Sequence, residues 1–259
     1  MDEYNRRQFI RTSIPGFLGL GLALPAITAL ATRANARDGR LPKNRAINWD
    51  AFLTEVEKEA AKQHLDRWKE RAYVKRMSKL FRRLNLKDPA LAQAFENAKK
   101  GLGNKRVDFY DLEEQRDFEV CLLQFEANEE IKHHNHPDMT GVILCATGKI
   151  DVWNYDLIGE SDEEDACDTT VENGAPPEKK KVLLAETGQA TLTKGRVSTL
   201  TSQARNIHRL KARQLTQLVD IFAPPYDKER IQKSDWYDVD SEPQEDVDAG
   251  RRVFEAMVR

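Results

Sequence analysis

Lys132-His133-His134-Asn135-His136-Pro137, the apolar run Gly141–Ala146 and the turn Thr147-Gly148-Lys149 form the most informative stretch of this 259-residue chain. Side chains alternate along a strand, so an extended His134-Asn135-His136 puts two imidazoles on one face and sends His133 to the other. Two imidazoles so placed can grip one ion, and imidazole suits Fe, Zn, Cu or Ni. The chain has only five histidines, and three of them fall within this short run. His208, in Asn206-Ile207-His208-Arg209, is the natural third ligand, whereas His64 lies in a charged stretch and reads as a surface residue.

Outward from this point the pattern is of short β-branched and apolar runs separated by turns. Phe118–Phe125, Gly141–Ala146, Lys149–Tyr155, Lys181–Ala185, Ala190–Thr193, Val197–Thr201, Ile207–Ala212 and Leu215–Phe222 are the expected strands. Thr147-Gly148-Lys149 and Glu186-Thr187-Gly188 read as hairpin turns. Strands without intervening helices predict a sandwich or barrel, not a parallel α/β sheet. Ile158–Glu178 is acidic, holds a Pro pair and reads as a solvated insertion. Residues 241–259 read as an acidic tail, with a short helix over Ala249–Val258.

Residues 37–106 differ in kind. They read as a basic helical segment, with Trp49, Phe52, Leu53 and Val56 at helical spacing and Leu65, Trp68, Ala72 and Arg76 on a more polar stretch. Asp88-Pro89 starts a helix over Pro89–Lys100, which Gly101 and Gly103 close. This segment carries 19 basic and 9 acidic side chains, while residues 107–259 carry 18 and 32. With a net +2 from residues 1–36, the whole chain comes to a net charge of −2, so no nucleic-acid partner is expected. The basic face reads as solvated or laid against the acidic remainder of its own chain. With 40% hydrophobic and 32% charged residues, the chain is neither fully disordered, collagen-like nor a polytopic membrane protein.

Residues 1–36 read as a targeting segment. Arg6-Arg7 is followed by Phe9, an apolar stretch over Ile14–Ala31 and the small-residue pattern Ala34-Asn35-Ala36. This resembles a twin-arginine export signal. Cleavage after Ala36 would deliver the remainder to the bacterial periplasm through the twin-arginine machinery, and an uncleaved signal would instead anchor it to the membrane. Export of folded protein by this route hints at a cofactor loaded inside the cell. Cys121 and Cys145 lie in apolar runs and read as small core residues, while Cys167 lies in the acidic stretch and reads as exposed.

The spacing around the histidines resembles the first cupin motif, with Gly148 at its glycine. Gly141 stands where that motif has Glu, so the usual fourth ligand is missing. The second motif keeps its histidine as His208, with Ala212 at its Asn position. The implied fold is mainly β, a cupin double-stranded β-helix (jelly-roll barrel) over 107–240 preceded by the helical segment.

More specifically, His134-Asn135-His136-Pro137-Asp138-Met139-Thr140, the strand ending Tyr155-Asp156, and Leu218-Val219-Asp220-Ile221-Phe222-Ala223-Pro224-Pro225-Tyr226 resemble the thiol dioxygenases of the plant cysteine oxidase and cysteamine dioxygenase family. The resemblance implies Fe(2+) held by His134, His136 and His208. It implies Asp220 beside the metal, bonded to a ligand histidine or to the substrate amine, and Tyr226 lining the pocket. It also implies oxidation by O2 of the thiol of cysteamine, cysteine or a Cys-initiated peptide to a sulfinic acid, by a monomer. Relatives that carry a Cys after the Pro-Pro-Tyr block differ from this chain, which has Ser234, so no Cys–Tyr crosslink is expected there. Two rival readings stay open: another metal-dependent cupin enzyme (a carbon-substrate dioxygenase or isomerase), and a non-catalytic cupin binding module.

Overall fold

The structure, a computed structural model, describes residues 46–101, 106–160, 180–226, 234–240, 242–246 and 250–259. The chain divides into two units, Met1–Ala46 and Ile47–Arg259, and the described elements belong to the second. The export signal expected over 1–36, Cys167 and most of the acidic stretch lie outside the described residues.

Helices come first, and one carboxylate starts two of them. Helix α1 (Trp49–Ala60) is capped by the Asn48 side chain, which accepts from Ala51 N, while Trp49 N donates to Asp88 Oδ2 at 3.0 Å. Asp88 Oδ1 accepts from Ala90 N at the start of α3 (Pro89–Gly101). An acceptor bearing negative charge satisfies orphan N–H groups and suits the positive end of each helix dipole. Between them lies α2 (Glu70–Phe81). Leu65 and Trp68 fall in the turn before α2, outside the helix expected from their spacing, because the chain leaves α1 through a 3₁₀ turn over Ala61–His64. The real buried face of α2 is Tyr73, Val74, Met77, Leu80 and Phe81.

The strands are β1 (Val107–Glu114), β2 (Glu119–Phe125), β3 (Glu130–His134), β4 (Thr140–Thr147), β5 (Lys149–Glu160), β6 (Lys181–Thr193), β7 (Val197–Leu200), β8 (Ile207–Ala212), β9 (Thr216–Ala223), β10 (Tyr237–Val239), β11 (Gln244–Asp246) and β12 (Arg251–Val258). They form two sheets, β1-β2-β9-β4-β7 and β10-β12-β6-β5-β8-β3, with β11 beside β12. The fold is thus mainly β, a cupin barrel preceded by helices.

One face of the five-stranded sheet looks inward. Cys121, Leu123, Ile143, Cys145 and Leu218 from it pack with Ile150, Val152, Leu192 and Leu210 from the other sheet. Its opposite face, with Val120, Leu122, Val142, Leu144, Val219 and Ile221, lies under the helices against Phe52, Val56, Met77, Phe81 and Phe95. Being covered on both sides, β9 is buried along its whole length, which is why it reads as a near-continuous apolar run interrupted by Asp220. Gln124 and Gln217 stitch α3 to this sheet, donating to Ala98 O and Phe95 O at 2.8 Å each. Gly148 has φ +81°, and a Cβ there would stand 2.3 Å from Leu215 O, so the hairpin after β4 requires glycine.

Two expectations are corrected. Glu186-Thr187-Gly188 is not a hairpin turn: β6 runs through it, and the register passes from Asn154↔Gly188 to Tyr155↔Glu186. A neighbour, β5, lies alongside the whole length, so the extra residue is absorbed as a bulge instead of reversing the chain. The helix expected over Ala249–Val258 is strand β12, paired with β6 from Val253↔Ala185 to Met257↔Lys181. Eight residues make a marginal helix alone, whereas the edge of β6 offers a full row of backbone partners.

Candidate metal centre

His134 and His208 face each other across β3 and β8 as a cross-strand pair. Their Nε2 atoms are 3.2 Å apart, and His136 Nε2 lies 3.0 Å from His208 Nε2. Only His134 belongs to the strand. His136 lies just beyond it, where the chain turns toward β4, so strand alternation alone does not align the pair. Asn206 does the rest: its Oδ1 accepts from His136 N and its Nδ2 donates to His136 O, both at 2.8 Å. His133 turns to the outer face and meets the Tyr155 ring. Among the described residues, His134, His136 and His208 form the one cluster of potential ligands, and all three are buried.

The cluster fits a metal ion. Nitrogens about 2.1 Å from a shared ion stand roughly 3 Å apart on one face of its coordination sphere. The outer nitrogens are directed accordingly. His134 Nδ1 donates to Lys132 O at 2.7 Å, and His136 Nδ1 pairs with the Tyr226 hydroxyl. With a hydrogen held on His134 Nδ1, its Nε2 lone pair points to the common centre. Burial, then the charges of His134 and His133, hold the His208 pKa well below its ordinary value. It therefore stays neutral, the form a metal binds.

Aromatic rings wall the centre. Trp236 stacks on His134 at 4.9 Å and Phe222 stacks on His136 at 4.7 Å. Trp236 is brought there by Asn135, which donates to Asp235 Oδ2 and accepts from Asp235 N, both at 2.7 Å. Phe222 has room only because its neighbour on β4 is Gly141: a Cβ at that position would lie 2.9 Å from the Phe222 ring. The glycine at the cupin glutamate position is thus a steric requirement, and the space for a fourth protein ligand is filled by an aromatic ring.

Register defines a polar layer at the level of the histidines. Across the five-stranded sheet, Cys121, Asp220, Ile143 and Ser198 stand side by side on the inner face. Across the other sheet, Asn154, His208 and His134 do the same. Ser198 Oγ donates to Asn154 Oδ1 at 3.4 Å, joining the two rows. Below this layer lie Leu218, Leu210, Val152 and Ile131, an apolar floor. The structure places Asp220 in the layer, buried but outside the ligand cluster, and places Tyr226 on a ligand histidine. Asn154, Asn206 and Trp236 were not singled out from sequence as site residues, although Asn206 lies inside a motif quoted above.

A family model described as PCO_ADO, the plant cysteine oxidase and cysteamine dioxygenase family, matches residues 74–256. No curated protein matches the chain. Similar solved structures include a cupin superfamily protein from Desulfitobacterium hafniense, 11% identical with TM-score 0.30, covering 45% of this chain and 76% of that one. KdgF from Halomonas sp. is 14% identical with TM-score 0.33, covering 48% and 84%. An RmlC-like cupin from Desulfovibrio desulfuricans is 17% identical with TM-score 0.31, covering 47% and 86%.

Proposed function

This chain belongs to the PCO_ADO family, and we propose from that premise that it is a non-haem Fe(II) thiol dioxygenase acting on a cysteamine- or cysteine-type thiol. The observation that carries the reading is the convergence of three imidazole nitrogens, at 3.0 and 3.2 Å, with no carboxylate among them. The reaction is R–SH + O2 → R–SO2H. Both oxygen atoms end on sulfur, sulfur loses the electrons that dioxygen gains, and no further reductant is required.

Bound at these imidazoles, Fe(II) would supply acidity toward the thiol and the one-electron chemistry that dioxygen needs. A purely neutral ligand set leaves negative charge to be contributed by the substrate, which a thiolate does. The chain's own residues hold the geometry. Lys132 O keeps the hydrogen on the outer nitrogen of His134, and the Tyr226 hydroxyl holds the His136 ring through its outer nitrogen. Asn206 locks the His136 backbone, while Trp236 and Phe222 keep water from the ligand rings. Asp220 gives the layer a carboxylate, the counter-charge for a substrate ammonium.

The test is anaerobic Fe(II) loading of residues 37–259, followed by oxygen uptake with cysteamine, cysteine and a Cys-initiated peptide, with product mass read in parallel. Gain of two oxygen atoms on one thiol is the expected result, lost in His208→Ala. No uptake from protein shown to hold one iron would overturn the proposal in favour of a carbon-substrate cupin. The export reading of Arg6-Arg7 through Ala36 belongs to the same proposal, with the enzyme working as a monomer in the periplasm. A periplasmic form beginning at Arg37 is expected, and an intact N-terminus in the membrane fraction would replace it with the anchored form.

A further inference from the structure

Asn154 stands in the polar layer without a use in the scheme above. It lies on β5 directly opposite the ligand His208, so the two side chains share the inner face. It is 6% exposed. Its Oδ1 accepts from Ser198 Oγ on the opposing sheet, which orients the amide. Its Nδ2 is buried and has no hydrogen-bond partner among the described residues. A buried amide donor left unmatched is costly, and natural cores rarely keep one without a reason. An isosteric leucine would fill the same space without that cost.

We propose that Asn154 is a specificity residue, whose Nδ2 donates to a carbonyl-type oxygen on the carbon that bears the substrate's amine. The inference rests on the thiol dioxygenase reading and deepens it by selecting among its substrates. Cysteamine has a thiol and an amine but no acceptor oxygen, so it leaves Nδ2 unmatched. Cysteine and cysteinyl amides carry the oxygen.

The experiment uses cysteine amide, cysteine and cysteamine, which differ only in the substituent on one carbon. Dissociation constants are measured anaerobically on protein shown to hold one Fe(II), beside oxygen uptake in air. Cysteine amide is expected to bind roughly tenfold more tightly than cysteamine, the difference made by one buried hydrogen bond. In Asn154→Leu the ratio of cysteine amide to cysteamine falls to about one. Ser198→Ala, which frees the amide to rotate, lowers the ratio partway. Equal affinities in the unaltered protein, or an unchanged ratio in Asn154→Leu, overturn the inference while leaving the dioxygenase reading intact. No oxygen incorporation with any thiol overturns that reading instead. A readout independent of metal separates a structural role: metal-free Asn154→Leu should melt at or above the temperature of the unaltered chain. A clear fall would show that the amide serves packing, and would overturn the proposal.

Discussion

Gly141→Ala tests whether the missing fourth ligand is a matter of space. The added methyl would stand 2.9 Å from the Phe222 ring and 3.2 Å from two Leu200 side-chain atoms. Both neighbours are buried, and Phe222 is held between His136 and Tyr226, so it has nowhere easy to go. Forcing a methyl into a filled core costs about 1–3 kcal/mol. Removing glycine's backbone freedom in a strand offsets about 0.5–1 kcal/mol of that. The net destabilisation, roughly 1–2 kcal/mol, lowers the melting temperature by about 2–8 °C in a unit of this size. The displaced ring should also disturb His136, so Fe(II) affinity falls together with stability. Thermal unfolding with and without metal, and competition against a chelator, measure both. A variant that melts higher than the unaltered chain and holds metal equally well would refute the steric account.

Three further outcomes are expected. Tyr226→Phe removes the hydroxyl on His136 Nδ1 and should weaken metal affinity about 10–100-fold with little loss of fold, as read by chelator competition and unfolding. Unchanged affinity would take Tyr226 out of the site. Asp88→Ala uncaps α1 and α3 together and should cost about 1–3 kcal/mol in urea unfolding, with partial recovery in Asp88→Asn; a neutral result would discount the shared cap. Burial first, then Arg209 and Lys132 against the opposing Glu130, push the His133 pKa from 6.5 down to about 4. The unfolded chain then binds more protons between these values, so the metal-free protein gains stability as pH rises from about 4 to 6.5 and keeps it above. His133→Gln should flatten that slope; an identical slope would assign it to other groups.

Much of the centre was legible without coordinates, for reasons specific to its residues. His134, His136 and His208 stand out because imidazoles are few in this chain and spaced within motifs. β9 announced itself because burial on both faces demands an unbroken apolar run, and Asp220 was conspicuous as the one charge inside it. Elsewhere local signals misled. Thr187-Gly188 has turn chemistry, and only a strand running alongside made it a bulge. Ala249–Val258 has no strong preference, and the open edge of β6 decided its state.

By itself the sequence determined the three candidate histidines, the mainly β character and the helical lead, because these follow from side-chain chemistry and periodicity within short windows. The tertiary structure alone decided which side chains share a layer. Asn154 meets His208 and Ser198, Gly141 yields to Phe222, and Trp236 covers His134 through pairings between segments distant in sequence. Strand register sets those neighbours, and a slip of one residue would turn each of them to the opposite face.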